Sequence, residues 1–231
     1  MELRNRKAIV LGGTSGIGLA AVSRLVAAGA VVVAGSRKQR ELPRGATFAP
    51  IDVLDRAALS ALFAAHAPFD VLVNAATGGE RATGAFAKMD LDGFQGSFRK
   101  LWGYTNSVRL GLEHMSEHGA IVLVSGTPAR KSPPGMSAIS TVGNAVEGFA
   151  RAIAPEIAPR RINVVAPGLI DTPMFAMQGE PRAKFLSSAT ANNPIKRAGT
   201  ADEVASAIVF LLENEFVTGA TIDVDGGALL P

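Results

Sequence analysis

The sequence predicts an α/β fold: one domain over residues 1–231 with a doubly wound parallel seven-stranded sheet and helices on both faces. Three observations carry this. Seven short apolar runs alternate with helical stretches: "KAIVL" (7–11), "VVVAG" (31–35), "TFAPI" (47–51), "VLVNA" (71–75), "AIVLVSG" (120–126), "INVVAPG" (162–168) and "TIDVDGG" (221–227). The runs are continuously apolar rather than alternating with polar residues, as strands covered on both faces must be. Finally, 231 residues that are 48% hydrophobic and 19% charged, with no repeat and no low-complexity linker, suit one large core.

The helices follow in order. "GIGLAAVSRLVAAG" (16–29) has apolar residues at 17, 21, 22, 25 and 26 and a stop at Gly29. "DRAALSALFAAH" (55–66) opens at Asp55, a side chain suited to capping free amides. "TVGNAVEGFARAIAPEIAP" (141–159) ends at prolines. "TADEVASAIVFLLEN" (200–214) starts with Thr200 and carries Glu203 three residues on, a capping box. Strands alternating with helices imply parallel crossovers, and such sheets bind ligands beyond the carboxyl ends of their strands.

Composition narrows the function classes. The formal net charge is +3, with Lys and Arg scattered. The densest basic cluster, "SRKQR" (36–40), is too short for a nucleic-acid stripe. Without cysteine there is no disulfide and no thiolate metal site. His66, His114 and His118 lie away from the strand ends and form no metal constellation. The first apolar run is too short for a signal peptide, and no window approaches the roughly 20 apolar residues of a membrane helix. The expectation is a soluble cytoplasmic protein with no metal, nucleic-acid or membrane partner.

"VLGGTSGIGLA" follows the first strand and opens the first helix. A pyrophosphate needs backbone amides and a helix N-terminus within reach, and side chains on the turn would block it. Tight turns between strand and helix also use glycine, so the context of strand, turn and helix is what favours a nucleotide. The motif "GGTSGIG" (12–18) resembles the glycine motif of the short-chain dehydrogenase/reductase family, with Leu11 in place of the usual leading Thr. Four more segments resemble that family in order: "IDV" (51–53), "LVNAAT" (72–77, with Ala75 and Thr77 departing), "RINVVAPGLIDTPM" (161–174) and "VTGATIDVDGG" (217–227).

The resemblance implies a Rossmann-type fold holding NAD or NADP. It implies Gly12, Thr14, Ser15, Gly16, Ile17 and Gly18 at the pyrophosphate, and Asp52 and Val53 at the adenine. It also implies Asn74, Ala75 and Ala76 beside the cofactor, and Pro167, Gly168, Ile170 and Thr172 over the nicotinamide. Plainer readings stand beside these: Asp52 as a helix cap, although Asp55 is the better one, Asn74 as a tie between strands, and Pro167–Gly168 as a strand exit. The second strand ends in "AGSRK", with Ser36 where NAD enzymes place an acid and Arg37 and Lys38 following. A carboxylate would repel a ribose 2′-phosphate, whereas Arg37 attracts one, so NADP is expected over NAD.

The family works with an Asn–Ser–Tyr–Lys set, in which Lys lowers the pKa of a Tyr that ordinarily titrates near about 10. With "PG" (134–135), "AVEG" (145–148) and "IVLVSG" (121–126) as anchors, all four positions differ. The Tyr position falls on Ile139, the Lys position on Gly143, the Ser position on Gly126 beside Ser125, and the Asn position on Lys100. One reading is a rewired site. Gly126 and Gly143 leave room, and the Lys100 ammonium enters to hold the ribose or protonate a substrate oxygen. Ser125, Ser137, Ser140, Asn144 and Tyr104, one helical turn from Lys100, are then its polar neighbours. The other reading is a solvated Lys100 and a catalytically empty site.

Trp102 and Tyr104 read first as packing at a subunit interface, since the resemblance implies a homodimer or homotetramer. Asp223 and Asp225 read as structural. Residues 171–198 read as a mobile substrate loop. Met174, Phe175, Met177 and Phe185 would make that loop apolar and favour an apolar or aromatic substrate. Three functions follow: an NADP(H)-dependent oxidoreductase on an apolar carbonyl, alcohol or activated alkene; a non-redox lyase, isomerase or cyclase; and an NADP-binding pseudoenzyme with a regulatory role.

Overall fold

Each of the seven apolar runs forms a strand of one parallel sheet. A computed structural model describes residues 1–77, 79 and 81–231. The elements are β1 (Lys7–Leu11), α1 (Gly16–Ala27), β2 (Val31–Ser36), β3 (Ala46–Pro50), α2 (Arg56–His66), β4 (Phe69–Asn74), α3 (Leu91–Ser97), α4 (Arg99–Gly111), β5 (Met115–Val124), α5 (Ser137–Ile153), β6 (Arg161–Pro167), β7 (Ile170–Asp171), α6 (Gly179–Ala189), β8 (Gly199–Thr200), α7 (Ala201–Glu213) and β9 (Thr221–Val224). The sheet order is β3-β2-β1-β4-β5-β6-β9, and a separate two-residue ladder joins β7 to β8.

The order reverses at β1, which pairs with β2 on one side and β4 on the other. Crossovers therefore leave in opposite directions, and the crevice between them opens at the carboxyl ends of the strands. Both faces are covered, which is why the strands lack a polar phase. Ala8 and Val10 of β1 pack toward α1 and α7, with Leu25, Val204, Ile208 and Leu211. Ile9 and Leu11 pack the other way, toward α2, α4 and α5, with Phe63, Val108 and Val146. Fully burying each such aliphatic side chain contributes roughly 1.5–3 kcal/mol.

The expected caps form. Asp55 accepts from the Ala58 amide, and Thr200 and Glu203 exchange side-chain and backbone bonds in a complete capping box. Two segments differ from expectation. Residues 171–198 are not loop throughout, because 179–189 form α6. That helix buries none of its residues, so its sequence has no apolar period to announce it. And α5 begins at Ser137, a turn earlier than the sequence reading. No helix among the described residues is long and apolar enough to cross a membrane.

Candidate active site

The turn between β1 and α1 is held by its own packing. A Cβ on Gly18 would overlap the Gly12 carbonyl oxygen, so this glycine lets the helix start against the strand exit. Gly16 differs: it has φ +52, and a Cβ there would meet Thr172 at an ordinary 3.5 Å. The loop after β6 thus reaches across the sheet to the first turn of α1. That turn has no acidic residue, and the N-cap Ser15 makes no side-chain cap bond. The first amides of α1 and the Ser15 hydroxyl are thereby left for an anion, which fits a dinucleotide pyrophosphate.

Other expected cofactor positions gather on the same edge. Ser36 ends β2, with Arg37 and Lys38 exposed beyond it. The Asp52 carboxylate accepts from the Leu54 amide at 3.0 Å, and Val53 is buried. Asn74 is fully enclosed; its Nδ2 donates to Ser107 Oγ at 2.6 Å, and its Oδ1 accepts from the Ala76 amide. It ties β4 to α4 rather than to a neighbouring strand. Ala75 donates its amide to the Leu11 carbonyl, closing β4 against β1. Pro167 ends β6, and the Gly168 amide bonds the Val224 carbonyl at 3.0 Å. Ile170 and Thr172 are buried, and Thr14 is buried in the glycine turn.

Lys100 lies on α4 and reaches the end of β5. Its Nζ donates to the Ser125 carbonyl at 3.3 Å and sits 5.5 Å from the centre of the Tyr104 ring. Burial pushes its pKa down to about 7, and the nearby Arg81 guanidinium adds to that shift. Tyr104 departs from both expectations. It is fully buried, so it packs no subunit interface. Its hydroxyl donates to the Val124 carbonyl at 2.9 Å, and burial raises its pKa well above the usual phenol range, so it is no proton donor near neutrality. Trp102, on the outer side of α4, is 56% exposed.

The expected room beside Gly143 is absent. A Cβ on Gly143 would stand 3.0 Å from Ala129 Cβ, because the 3₁₀ turn 127–129 has closed onto α5. Asn144 is used to hold it there, donating to the Ala129 carbonyl and to the Ser140 carbonyl at 3.1 Å. Gly126 is more open: a Cβ there would meet Pro128 at 3.4 Å and nothing nearer. Ile139 is half-buried at the start of α5, and Ser137 Oγ makes a long 3.8 Å contact with Met89 Sδ.

Ser125 joins two networks. Its carbonyl accepts from Lys100, while its hydroxyl donates to Glu147 Oε1 at 2.9 Å. Glu147 is buried on α5 and faces Arg130 at 3.6 Å, and Arg130 pairs in turn with Asp223. Asp225 accepts from the Gly227 and Leu229 amides. Asp223 and Asp225 are therefore structural, as expected. Sequence reasoning passed over Glu147 because an acid inside an amphipathic helix looks solvent-facing; its phase beside Val146 and Ala150 was the available signal.

Two arginines were also missed. Arg182 of α6 straps the loop after β7. It donates to Asp171 Oδ1 at 2.8 Å and to the carbonyls of Thr172 (2.8 Å), Phe175 (2.8 Å) and Met177 (3.1 Å). Phe175 and Phe185 pack together with ring centres 5.4 Å apart. Arg81, on the segment after β4, touches Met174 Sδ with Nη2 at 2.7 Å. Neither arginine belongs to a motif, so only the folded chain reveals its neighbours. Among the described residues, no group of His, Asp or Glu is arranged to hold a metal.

A family model described as Enoyl-(Acyl carrier protein) reductase matches residues 12–228. Carbonyl reductase family member 4 of Danio rerio is 32% identical, over 98% of this chain and 99% of that protein. The ligand-free structure of Thermoplasma acidophilum aldohexose dehydrogenase superposes with a TM-score of 0.91 at 30% identity, covering 99% of this chain and 96% of that one. A small-chain dehydrogenase solved in complex with NADPH gives a TM-score of 0.84 at 27% identity, over 98% and 100% of the two chains.

Proposed function

Because this chain belongs to the short-chain dehydrogenase/reductase family, we propose that it is an NADP(H)-dependent oxidoreductase whose proton donor is Lys100. The observation that carries the reading is the site of that ammonium. It lies at the end of β5, on the Ser125 carbonyl and over Tyr104, with its pKa brought to about 7. A general acid is most effective when its pKa is near the working pH.

The bound nicotinamide cofactor would supply the hydride. The α1 amides and the Ser15 hydroxyl would hold its pyrophosphate, Arg37 its 2′-phosphate, Asp52 its adenine and Thr172 its carboxamide. The NADPH held by the small-chain dehydrogenase of similar fold supports NADP over NAD, as does the Ser36–Arg37–Lys38 strand end. Lys100 would give its proton to the oxygen that becomes the alcohol. Ser125, whose hydroxyl is committed to Glu147, would position Lys100 through its carbonyl. Met174, Phe175, Met177 and Phe185 would receive an apolar or aromatic body, and exposed Trp102 on α4 would serve subunit pairing.

The test is loss of NADPH absorbance with a panel of apolar ketones, aldehydes and activated alkenes. Turnover is expected with NADPH, and Lys100→Met should lower kcat at least about a hundredfold, the low end for loss of a general acid. Product formation without absorbance change would favour the non-redox catalyst. NADPH binding without turnover of any compound would favour the regulatory protein.

A further inference from the structure

The exit of β5 leaves one carbonyl without a partner in the sheet. The last paired residue of β5 is Leu123 toward β4 and Val124 toward β6. Beyond them, the Ser125 amide still donates to the Val165 carbonyl of β6 at 2.9 Å. In a parallel ladder, a residue whose amide bonds one neighbour accepts at its carbonyl from the amide two positions further along the partner strand. Here that position is Pro167, whose nitrogen carries no hydrogen. No main-chain amide among the described residues takes the Ser125 carbonyl, and Lys100 Nζ donates to it instead.

The direction of that carbonyl depends on what holds the rest of Ser125. One tie is the amide at Val165; the other is the hydroxyl, which donates to Glu147 Oε1 at 2.9 Å. Glu147 is buried on α5, and a buried carboxylate is costly unless it is well used. Arg130 stands 3.6 Å from the same oxygen, but Arg130 has a carboxylate of its own, because both terminal nitrogens donate to Asp223. The turn 127–129 is also tied to α5 by Asn144 at the Ala129 carbonyl. Holding that turn therefore does not call for an acid at 147. Fixing the Ser125 side chain does, since a bond to a carboxylate is charge-assisted. We propose that Glu147 is a positioning residue: through the Ser125 hydroxyl it aims the carbonyl that Pro167 leaves free, and so sets where Lys100 rests. This rests on the reading of Lys100 as the proton donor and adds the group that places it.

The experiment follows the lysine itself and needs no turnover. The full chain is labelled with carbon-13 lysine, and the lysine Cε resonances are titrated by NMR; the resonance missing from Lys100→Met is that of Lys100. In Glu147→Leu and in Ser125→Ala the released side chain turns toward water on its long stem. Its midpoint should rise by at least about one pH unit, a tenfold change in its proton equilibrium. Ser125→Ala removes a single hydroxyl and serves if Glu147→Leu does not fold. Glu147→Gln keeps an oxygen for the Ser125 hydroxyl and should titrate close to the parent. An unchanged or lowered midpoint in either folded variant would overturn the proposal. So would a shift in Glu147→Gln as large as that in Glu147→Leu, because the charge and not the Ser125 bond would then be acting. If the shifts appear while no compound is reduced, the proton-donor reading alone has failed. If they are absent while reduction depends on Lys100, the positioning role alone has failed.

Discussion

The Lys100 ammonium donates to the main-chain carbonyl of Ser125 at 3.3 Å, so a side chain of α4 is anchored at the exit of β5. The Ser125 side chain faces away, to Glu147. One residue therefore ties the lysine to the sheet and the sheet to α5.

That anchoring gives a pH prediction. With a pKa near 7, Lys100 is a proton donor below that value and an acceptor above it. The kcat/KM for reduction should fall as pH rises through about 7, and that for alcohol oxidation should rise over the same range. Lys100→Met should flatten both limbs. Stability runs with the same group. Its folded pKa lies below the ordinary lysine value of 10.5, so the unfolded chain binds more protons between about 7 and 10.5, and stability should rise with pH across that window. Lys100→Met should be more stable than the parent below pH 7 in thermal melts, with the gap closing toward pH 10. Identical melting profiles for the two proteins would show that the lysine is not desolvated.

Arg37 governs cofactor choice in this reading. Arg37→Ala should weaken NADPH binding by about tenfold or more, the worth of a charge-assisted hydrogen bond to phosphate, and leave NADH binding nearly unchanged. Fluorescence titration of the two cofactors measures the ratio. A parent protein that binds NADH more tightly than NADPH would refute the assignment.

Arg182 couples the loop after β7 to the glycine turn before α1. Its guanidinium holds Asp171 and the carbonyls of Thr172, Phe175 and Met177, and Thr172 packs at Gly16. Arg182→Ala should raise KM for both substrate and NADPH by about tenfold, since each lost charged bond is worth about 1.5–3 kcal/mol before relaxation. New protease cleavage within 171–178 should accompany it. Unaltered KM values with an intact loop would mean the strap is dispensable.

The capping box of α7 is a stability element remote from the chemistry. Thr200→Ala should cost about 1 kcal/mol in denaturant unfolding with kinetics unchanged. The pair Arg197–Glu203 and the Thr200 amide hold the Glu203 pKa down to about 2. Its contribution is present above the usual glutamate range and is lost as pH falls toward 2. The destabilisation by Glu203→Gln should therefore shrink in acid, as equilibrium unfolding at pH 7 and pH 3 will show.

Some of this was legible in the chain and some was not. The strands could be read because burial on both faces removes polar residues, and that leaves a linear mark in "KAIVL" or "VVVAG". The caps at Asp55 and Thr200 are local bonds between residues three apart, so they too are written linearly. Helix α6 was hidden because it buries nothing, and Glu147 because its partners, Ser125 and Arg130, are 22 and 17 positions away.

The sequence by itself determined the parallel sheet, the glycine turn at its reversal point and the presence of Lys100, Ile139 and Gly143 where the family resemblance leads one to seek Asn, Tyr and Lys. Only the tertiary structure decided what surrounds those residues. The turn at Ala129 closes the space at Gly143, Tyr104 is spent on the Val124 carbonyl, and Lys100 is anchored on the Ser125 carbonyl. The physical reason is range. Periodicity and capping act within a few residues, whereas desolvation and charge act between groups that only the folded sheet brings together.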